Sequence, residues 1–245
     1  MMLRSLEGEV ALVTGASRGI GRAVANRLAK QGADVVITGR TESDLREVEK
    51  EILSSGRKAL VAVGDATNEM DVRSAVEGAV NKFGRIDILV NNVGIGAYKS
   101  FTSTSVSEYD QMVAENLKST FLFTRFVIPV MVKQHYGQLI TISSQSGKQG
   151  YAGEALYVGT KFFQMGMMES LDRELLEQNI KVSVVCPGSV NTYFALGAGR
   201  QKGDPALQQY LSPEEVAESV NFVAAQPWKS YIMEIDLRPV NEARY

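Results

Sequence analysis

Seven short apolar runs, spaced by longer amphipathic stretches, limit what this chain can fold into more than any other feature. The runs at residues 10–14, 34–38, 59–64, 86–91, 138–143, 182–186 and 232–237 are rich in Val and Ile, as strands are. Most are too uniformly apolar to keep one face wet, which suits the middle of a parallel sheet covered on both sides. Helical patterns lie between them. Residues 19–31, 42–55, 68–83 and 155–178 are predicted helices, the third of them capped by Asn68 or Thr67. A long helix is predicted over 107–135, with a kink or tightening at Pro129. Ser212 followed by Pro213, with Glu215 at the capping-box place, marks a further helix start. This alternation predicts an α/β fold: a doubly wound parallel sheet of about seven strands, with helices on both faces and right-handed crossovers.

No Pro/Gly/Ser linker or internal repeat divides the chain, so residues 1–245 are expected to form a single domain. A hydrophobic content of 44% supplies a sizeable core. The least regular part, at about 193–211, carries Gly197, Gly199 and Gly203. It is expected to be a mobile substrate loop, a plain surface excursion being the other reading. The formal charge of −2 argues against nucleic acid or an anionic membrane as the main partner. A single cysteine, Cys186, excludes an intramolecular disulfide framework. Arg4, Glu7 and Glu9 interrupt any secretory pattern at the start, and no apolar run is long enough for a membrane span. A cytoplasmic location is expected.

Directly after the first strand comes Thr14-Gly15-Ala16-Ser17-Arg18-Gly19-Ile20-Gly21. Glycines there permit a tight turn and close backbone approach to a pyrophosphate, and the helix start that follows offers free N–H groups at its positive dipole end. A turn that needs glycine and binds nothing would read the same way. The end of the second strand separates the two nicotinamide dinucleotides. An acidic residue there would hold the ribose 2′-hydroxyl of NAD. The chain instead has Thr38-Gly39-Arg40, with Asp34 at the wrong end of the strand. Arg40 and Arg18 suit a 2′-phosphate, because guanidinium binds phosphate as a bidentate fork. NADP(H) is preferred over NAD(H), two solvated arginines being the bland alternative.

Tyr157 and Lys161 are four residues apart on a predicted helix and so share a face. An adjacent ammonium favours tyrosinate and is expected to lower the phenol's pKa, letting it exchange a proton with an alcohol or ketone near neutral pH. By itself the spacing also fits a buried aromatic followed by a surface lysine.

Together these segments resemble the short-chain dehydrogenase/reductase family, including its 3-oxoacyl-(acyl carrier protein) reductase-like members. The match also takes in Asp65, Asn91-Asn92-Val93-Gly94, Asn116, Ser143-Ser144, the Ser144-to-Tyr157 interval and Pro187-Gly188. Val93 stands where the family more often has alanine. The resemblance implies a Rossmann-type fold and a catalytic set of Ser144, Tyr157, Lys161 and Asn116. In it Tyr157 is general acid/base, and Ser144 donates to the substrate oxygen. Lys161 tunes the phenol and binds the nicotinamide ribose, and Asn116 holds a water that links Lys161 to solvent. It implies cofactor contacts from Gly15, Ser17, Arg18, Gly19, Ile20, Gly21, Arg40, Asp65, Ala66, Asn92, Gly94, Tyr157, Lys161, Pro187, Gly188, Val190 and Thr192, with Asn91 and Gly94 contributing backbone. The substrate wall is expected from Ser144, Ile95, Gln145, Gln149, Tyr151, Tyr193 and Phe194.

Other features read as structural. His135, the only histidine, lies where a helix should end and suits a cap. Cys186 reads as a small buried hydrophobe, and no cluster has metal-ligand spacing. In the family the helices corresponding to 107–135 and 155–178 form a dimer face. Phe121, Phe123 and Phe126 fit that reading, so a homodimer or homotetramer is expected; the Phe162, Phe163, Met165, Met167, Met168 group could suggest an apolar cofactor pocket, but helix packing explains it better. The tail, Glu234 to Val240, lacks the family's Asp-Gly-Gly turn, which puts a second interface in doubt. The function expected is an NADPH-dependent oxidoreductase interconverting a ketone and a secondary alcohol, a carbonyl reductase or alcohol dehydrogenase. A 3-oxoacyl-(acyl carrier protein) reductase is the alternative within the class. A non-catalytic NADP(H)-sensing protein is the alternative outside it.

Overall fold

The computed structural model describes residues 3–201, 203 and 205–241. Its centre is a seven-stranded, wholly parallel sheet in the order β3-β2-β1-β4-β5-β6-β7. The strands are β1 (Val10–Val13), β2 (Asp34–Gly39), β3 (Ala59–Val63), β4 (Ile88–Asn91), β5 (Gly137–Ile142), β6 (Ile180–Pro187) and β7 (Glu234–Leu237). Among the described residues seven α-helices accompany them: α1 (Gly19–Gln31), α2 (Glu42–Ser54), α3 (Glu69–Phe83), α4 (Val106–Val113), α5 (Ser119–Gln134), α6 (Ala155–Leu175) and α7 (Pro213–Ala224).

The uniform apolarity of the strands has a direct cause. Alternate residues of β1 enter different cores: Ala11 and Val13 pack with Val24, Leu28 and Val220, Val10 and Leu12 with Phe123, Met131 and Leu139. One core lies under α1, α2 and α7, the other under α3, α5 and α6. Both faces of each central strand are therefore dry, and each alternate residue needs an apolar side chain.

Most element ends follow local chemistry. Asn68 accepts from the Met70 and Asp71 amides at the start of α3. Ser212 and Glu215 form a reciprocal capping box at the start of α7. His135 caps α5 in the left-handed region at φ 51°. The predicted long helix differs. It continues through Pro129, and its irregularity falls earlier, in a π turn over Ala114–Lys118 that joins α4 to α5. The widened turn is closed by the Ser119 amide donating to the Ala114 carbonyl. Side-chain hydroxyls of Ser119 and Thr120 then donate to the carbonyls of Glu115 and Asn116.

Two of the aromatic residues assigned to a dimer face belong to the core. Phe123 is only 2% exposed, and Phe126 packs against the same cluster under the Arg73 guanidinium. Phe121, Phe162 and Phe163 do face outward. Of the methionines, Met168 is buried and Met165 and Met167 pack beside it. The segment after β6 is tied down at several points. Val190 bridges to Leu211, Leu196 bridges to Arg200, and the Tyr98 amide donates to the Ala198 carbonyl. No helix among the described residues is long and apolar enough to cross a membrane.

Candidate active site

The strand order reverses between β2 and β4, on either side of β1, and the crevice at the carboxyl ends there is where such sheets bind ligands. Three of the expected segments meet at this edge. The glycine turn leaves β1, the Asn92–Gly94 segment leaves β4, and Ser144 follows β5.

The glycine turn is built for close approach. A Cβ on Gly21 would lie 2.3 Å from the Gly15 carbonyl oxygen and 2.6 Å from Asn92 Nδ2. Asn92 explains part of that crowding: its Nδ2 donates to the carbonyls of Thr14 and Gly15, at 2.9 and 3.2 Å, and its amide donates to Thr14 Oγ1. The Asn92 side chain is thus a brace for the turn. Arg18 occupies the N-cap of α1 without a side-chain cap, so the first amides of that helix point outward with no side-chain acceptor. Free amides at a helix start, set on a glycine turn, fit a pyrophosphate. Thr192 lies beside this turn, its methyl 3.5 Å from where a Gly19 Cβ would be.

At the end expected to take the adenosine, Arg40 is exposed and pairs with Glu115 at 2.8 Å. Asp65 Oδ1 accepts from both the amide and the hydroxyl of Thr67. Those bonds hold its carboxyl below the usual range, with help from Arg40 and Lys118. Ala66 follows it, packed against the second core. Glu115 and Lys118 both come from the π turn and were missed in the sequence. Their signal was weak, because a helix of regular pitch gives no reason to single them out. Arg18 does not join this group. Its guanidinium stacks on the Tyr193 ring at 5.5 Å. The Asn91 side chain donates through Nδ2 to Thr124 inside the core, which leaves its backbone for the expected contact.

The residues expected to be catalytic centre on one face of α6. Tyr157, Thr160, Lys161 and Gln164 repeat at helical spacing and are all buried. Lys161 Nζ lies 5.7 Å from the Tyr157 ring centroid. It donates to the Ile142 carbonyl at 3.1 Å and to Gln164 Oε1 at 2.9 Å. The expected lowering of the phenol's pKa is not what this geometry produces. Burial pushes Tyr157 well up, while its hydrogen bond with Ser144 pulls the other way. Burial also brings Lys161 down to about 8. The physical reason is that both groups are dry and the ammonium is aimed at neutral acceptors. A phenol in this state holds its proton at neutral pH. Ser144 itself is half-buried and accepts from the Ser146 amide at 3.1 Å.

Asn116 sits in the π turn, fully buried. Its side chain clamps Ile95, accepting from the amide at 2.7 Å and donating to the carbonyl at 2.9 Å, and it also donates to Thr160. The carbonyl oxygen of Asn116 accepts from Thr120 Oγ1 and from Gln164 Nε2. That oxygen thus takes side-chain donors from both α5 and α6.

The residues expected at the substrate wall divide into two groups. Phe194 packs on Tyr157 with ring centroids 5.6 Å apart and closes against Gly96, where a Cβ would meet its ring at 2.5 Å. Ile95 is fixed at the edge by Asn116, and Tyr151 accepts from Gln149 at 2.6 Å. Two expected wall residues go elsewhere. Gln145 is buried the other way, donating to the Cys186 carbonyl and Asp236 and accepting from Arg238. Tyr193 is 58% exposed and lies under Arg18. Tyr98 and Arg200 were missed. The Arg200 guanidinium sits among the rings of Tyr98, Phe194 and Tyr210 and donates to the Val190 carbonyl. Both act electrostatically on Tyr157. They converge only through folding of the loop, which leaves no local pattern. Gly188 donates to the Leu237 carbonyl at 2.7 Å, so Pro187 and Gly188 are fixed at the sheet edge. Cys186 is fully buried, its thiol pushed up to about 12.

A seven-stranded parallel sheet with a glycine turn at its switch point and a Tyr/Lys pair at the same edge defines a dinucleotide-binding oxidoreductase. The family model for short chain dehydrogenases matches residues 9–202, and the chain belongs to that family. It is 35% identical to an uncharacterized oxidoreductase of Staphylococcus saprophyticus, over 96% of this chain and 99% of the relative. It is 37% identical to the 3-oxoacyl-[acyl-carrier-protein] reductase FabG of Aquifex aeolicus, over 90% of this chain and 92% of that one. A metagenomic short-chain oxidoreductase solved in complex with NADP superposes with a TM-score of 0.83 at 34% identity, over 97% of this chain and 99% of that chain. An alcohol dehydrogenase from the archaeon Thermococcus sibiricus, complexed with 5-hydroxy-NADP, superposes with a TM-score of 0.89 at 26% identity, with the same coverage.

Proposed function

We propose that this oxidoreductase uses NADPH to reduce a ketone to a secondary alcohol. The observation that carries the reading is the meeting of Ser144, Tyr157 and Lys161 beside a helix start whose amides are free for a pyrophosphate. When bound, the nicotinamide supplies the hydride. Tyr157 donates its proton to the carbonyl oxygen as the hydride arrives at carbon, so charge and protons balance. Ser144 donates a hydrogen bond to the same oxygen, where negative charge develops. Lys161 keeps a positive charge behind the phenol, 5.7 Å from the ring centroid, to face the tyrosinate once the proton has left. Phe194 and Ile95 shield the reacting centre from water. Asn116 acts through scaffold, fixing Ile95 and the segment that ends in Gly94. The 193–211 segment serves as the substrate loop, with Phe194 as its contact over the phenol. A screen of ketones with NADPH and with NADH tests the reading: turnover of at least one ketone supports it, and a blank panel with cofactor bound sinks it.

The Aquifex relative supports a second reading, in which the ketone is a 3-oxoacyl thioester on a carrier protein. Rates with a thioester-linked 3-oxoacyl substrate against small ketones separate the two.

The choice of NADPH rests on Arg40, which is exposed and within reach of the ribose end beside Asp65 and Lys118. Arg40→Ala is expected to weaken NADPH binding by about 10–100-fold, the worth of a charge-assisted hydrogen-bond pair, and to leave NADH binding unchanged. Titration calorimetry with both coenzymes measures it, and equal losses for the two would remove Arg40 from the 2′-phosphate site.

The assembly proposed is a dimer through α5 and α6. Its support is the outward set of Phe121, Phe162 and Phe163, exposed by 46, 47 and 41% on the two helices. Large apolar side chains left exposed on a helix are candidates for an interface. Sedimentation should give a dimer for the natural chain and a monomer for the Phe121→Glu, Phe162→Glu double variant. A monomer in both cases rejects this face.

A further inference from the structure

We propose that Gln164 is a positioning residue of the active site. Its carboxamide bridges the Lys161 ammonium to the Asn116 carbonyl, and so governs where Lys161 holds its proton. The inference rests on the oxidoreductase reading above for its kinetic consequence, but not for its geometry.

Gln164 is 1% exposed and lies on the face of α6 that carries Tyr157 and Lys161. Both ends of its amide are committed. Oε1 accepts from Lys161 Nζ at 2.9 Å, and Nε2 donates to the Asn116 carbonyl and to Thr120 Oγ1, each at 3.0 Å. Chemistry fixes the orientation, because an ammonium only donates and a carbonyl only accepts. The π turn completes the arrangement. Thr120 Oγ1 donates to the Asn116 oxygen and accepts from Gln164, so the widened turn and the glutamine satisfy one another. A π turn at such a place commonly marks a functional site.

A carboxamide differs from water in one decisive respect. It cannot take up one proton and release another without becoming an imidic acid. The Asn116–Gln164 route therefore orients Lys161 without conducting protons. The remaining side of Nζ faces Gly94, where a Cβ would come to 3.9 Å. Exchange of the lysine proton is directed to that side. The groups that face Lys161 are few. They are the Tyr157 ring on α6, the Ile142 carbonyl on β5, the neutral amides of Asn116 and Gln164, and the Cys186 thiol on β6, which stays neutral over the working range. With so little charge nearby, a change at Gln164 has a large effect on the lysine.

The test is a pH titration of the Lys161 side chain by NMR, using lysine labelled with carbon-13 and nitrogen-15, the Lys161 signal being assigned by its loss in Lys161→Met. Gln164→Glu sets a carboxylate on the ammonium and should move the titration up by about 1–3 pH units. Gln164→Met keeps the volume but removes the acceptor, and should move it down. Reduction needs the Lys161–Tyr157 pair protonated, so rate is lost as pH rises through the pair's pKa. The basic limb of kcat/KM should therefore move to higher pH in Gln164→Glu and lower pH in Gln164→Met. A purely structural role would change melting temperature without opposite shifts. Unmoved titrations, or shifts in one direction for both variants, overturn the proposal. Should Gln164→Glu fail to fold, Gln164→Met decides, with a downward shift in support and no shift against. The titration needs no turnover, so it judges Gln164 even with a blank ketone panel. A reduced ketone with an unmoved titration keeps the enzyme and removes Gln164.

Discussion

Tyr157→Phe should lower kcat/KM for ketone reduction by about 10²–10⁴-fold, the usual worth of a general acid, with NADPH affinity kept. The substitution removes only the hydroxyl. The ring stays packed against Phe194 and buried on the inner face of α6. Removing a buried hydroxyl with one partner, here Ser144, costs little stability, because its loss also removes a desolvated group. The phenol's pKa is raised by burial, so the natural residue is protonated across the neutral range and its proton is in place before the substrate arrives. Phenylalanine cannot supply that proton, and Ser144 can only donate a hydrogen bond. Single-turnover oxidation of bound NADPH, compared with calorimetric affinity, separates the lost step from lost binding. Rates within a few-fold of the natural chain would transfer the acid role to another group.

Gly21→Ala should abolish measurable coenzyme binding and lower the melting temperature. The added Cβ would lie 2.3 Å from the Gly15 carbonyl oxygen and 2.6 Å from Asn92 Nδ2. The first of these is backbone, so no rotamer relieves it. Overpacking of this kind costs about 1–3 kcal/mol or more, which in a chain of this size is a drop of roughly 3–10 °C. The functional loss is larger because of what must move. Shifting the Gly15 carbonyl pulls on the bonds from Asn92 Nδ2 and rotates the turn away from the free amides of α1. Gly78 is the control: a Cβ there meets only Leu60 Cδ2, at 3.6 Å. Gly78→Ala, in mid-helix, should be neutral or stabilising. Coenzyme titration and thermal melts of the two variants check both parts. Undiminished binding by Gly21→Ala would mean that the turn tolerates side chains and that the close approach is not needed.

Much of this molecule can be read without coordinates. The bounds of α1, the cap at Asn68 and the capping box at Ser212 depend on residues a few positions apart, and the structure has them where the sequence puts them. The seven strands were visible because burial on both faces demands apolar residues at every central position. The ends of β6 and β7 were less so. β6 starts two residues earlier and β7 two residues later than their apolar patterns, because pairing with neighbours decides where a strand stops. The π turn left no trace in hydrophobic spacing. Its cause is a set of hydroxyl and amide donors from Ser119, Thr120 and Gln164, the last of them on another helix.

Chain order alone determined the doubly wound sheet, the glycine turn after β1, and a tyrosine and lysine on one helical face, since each follows from steric and periodic rules that act within a few residues. Only the tertiary structure decided where the side chains point. Gln145 turned from the pocket to Asp236, Tyr193 turned out to Arg18, and Arg200 entered a cage of rings drawn from distant parts of the chain. It also decided the charge state of the site. The ammonium was expected to make the phenol more acidic, but burial of both groups and the capture of Lys161 by Ile142 and Gln164 reversed that shift. Desolvation depends on every atom packed around a group, and spacing along the chain carries no record of it.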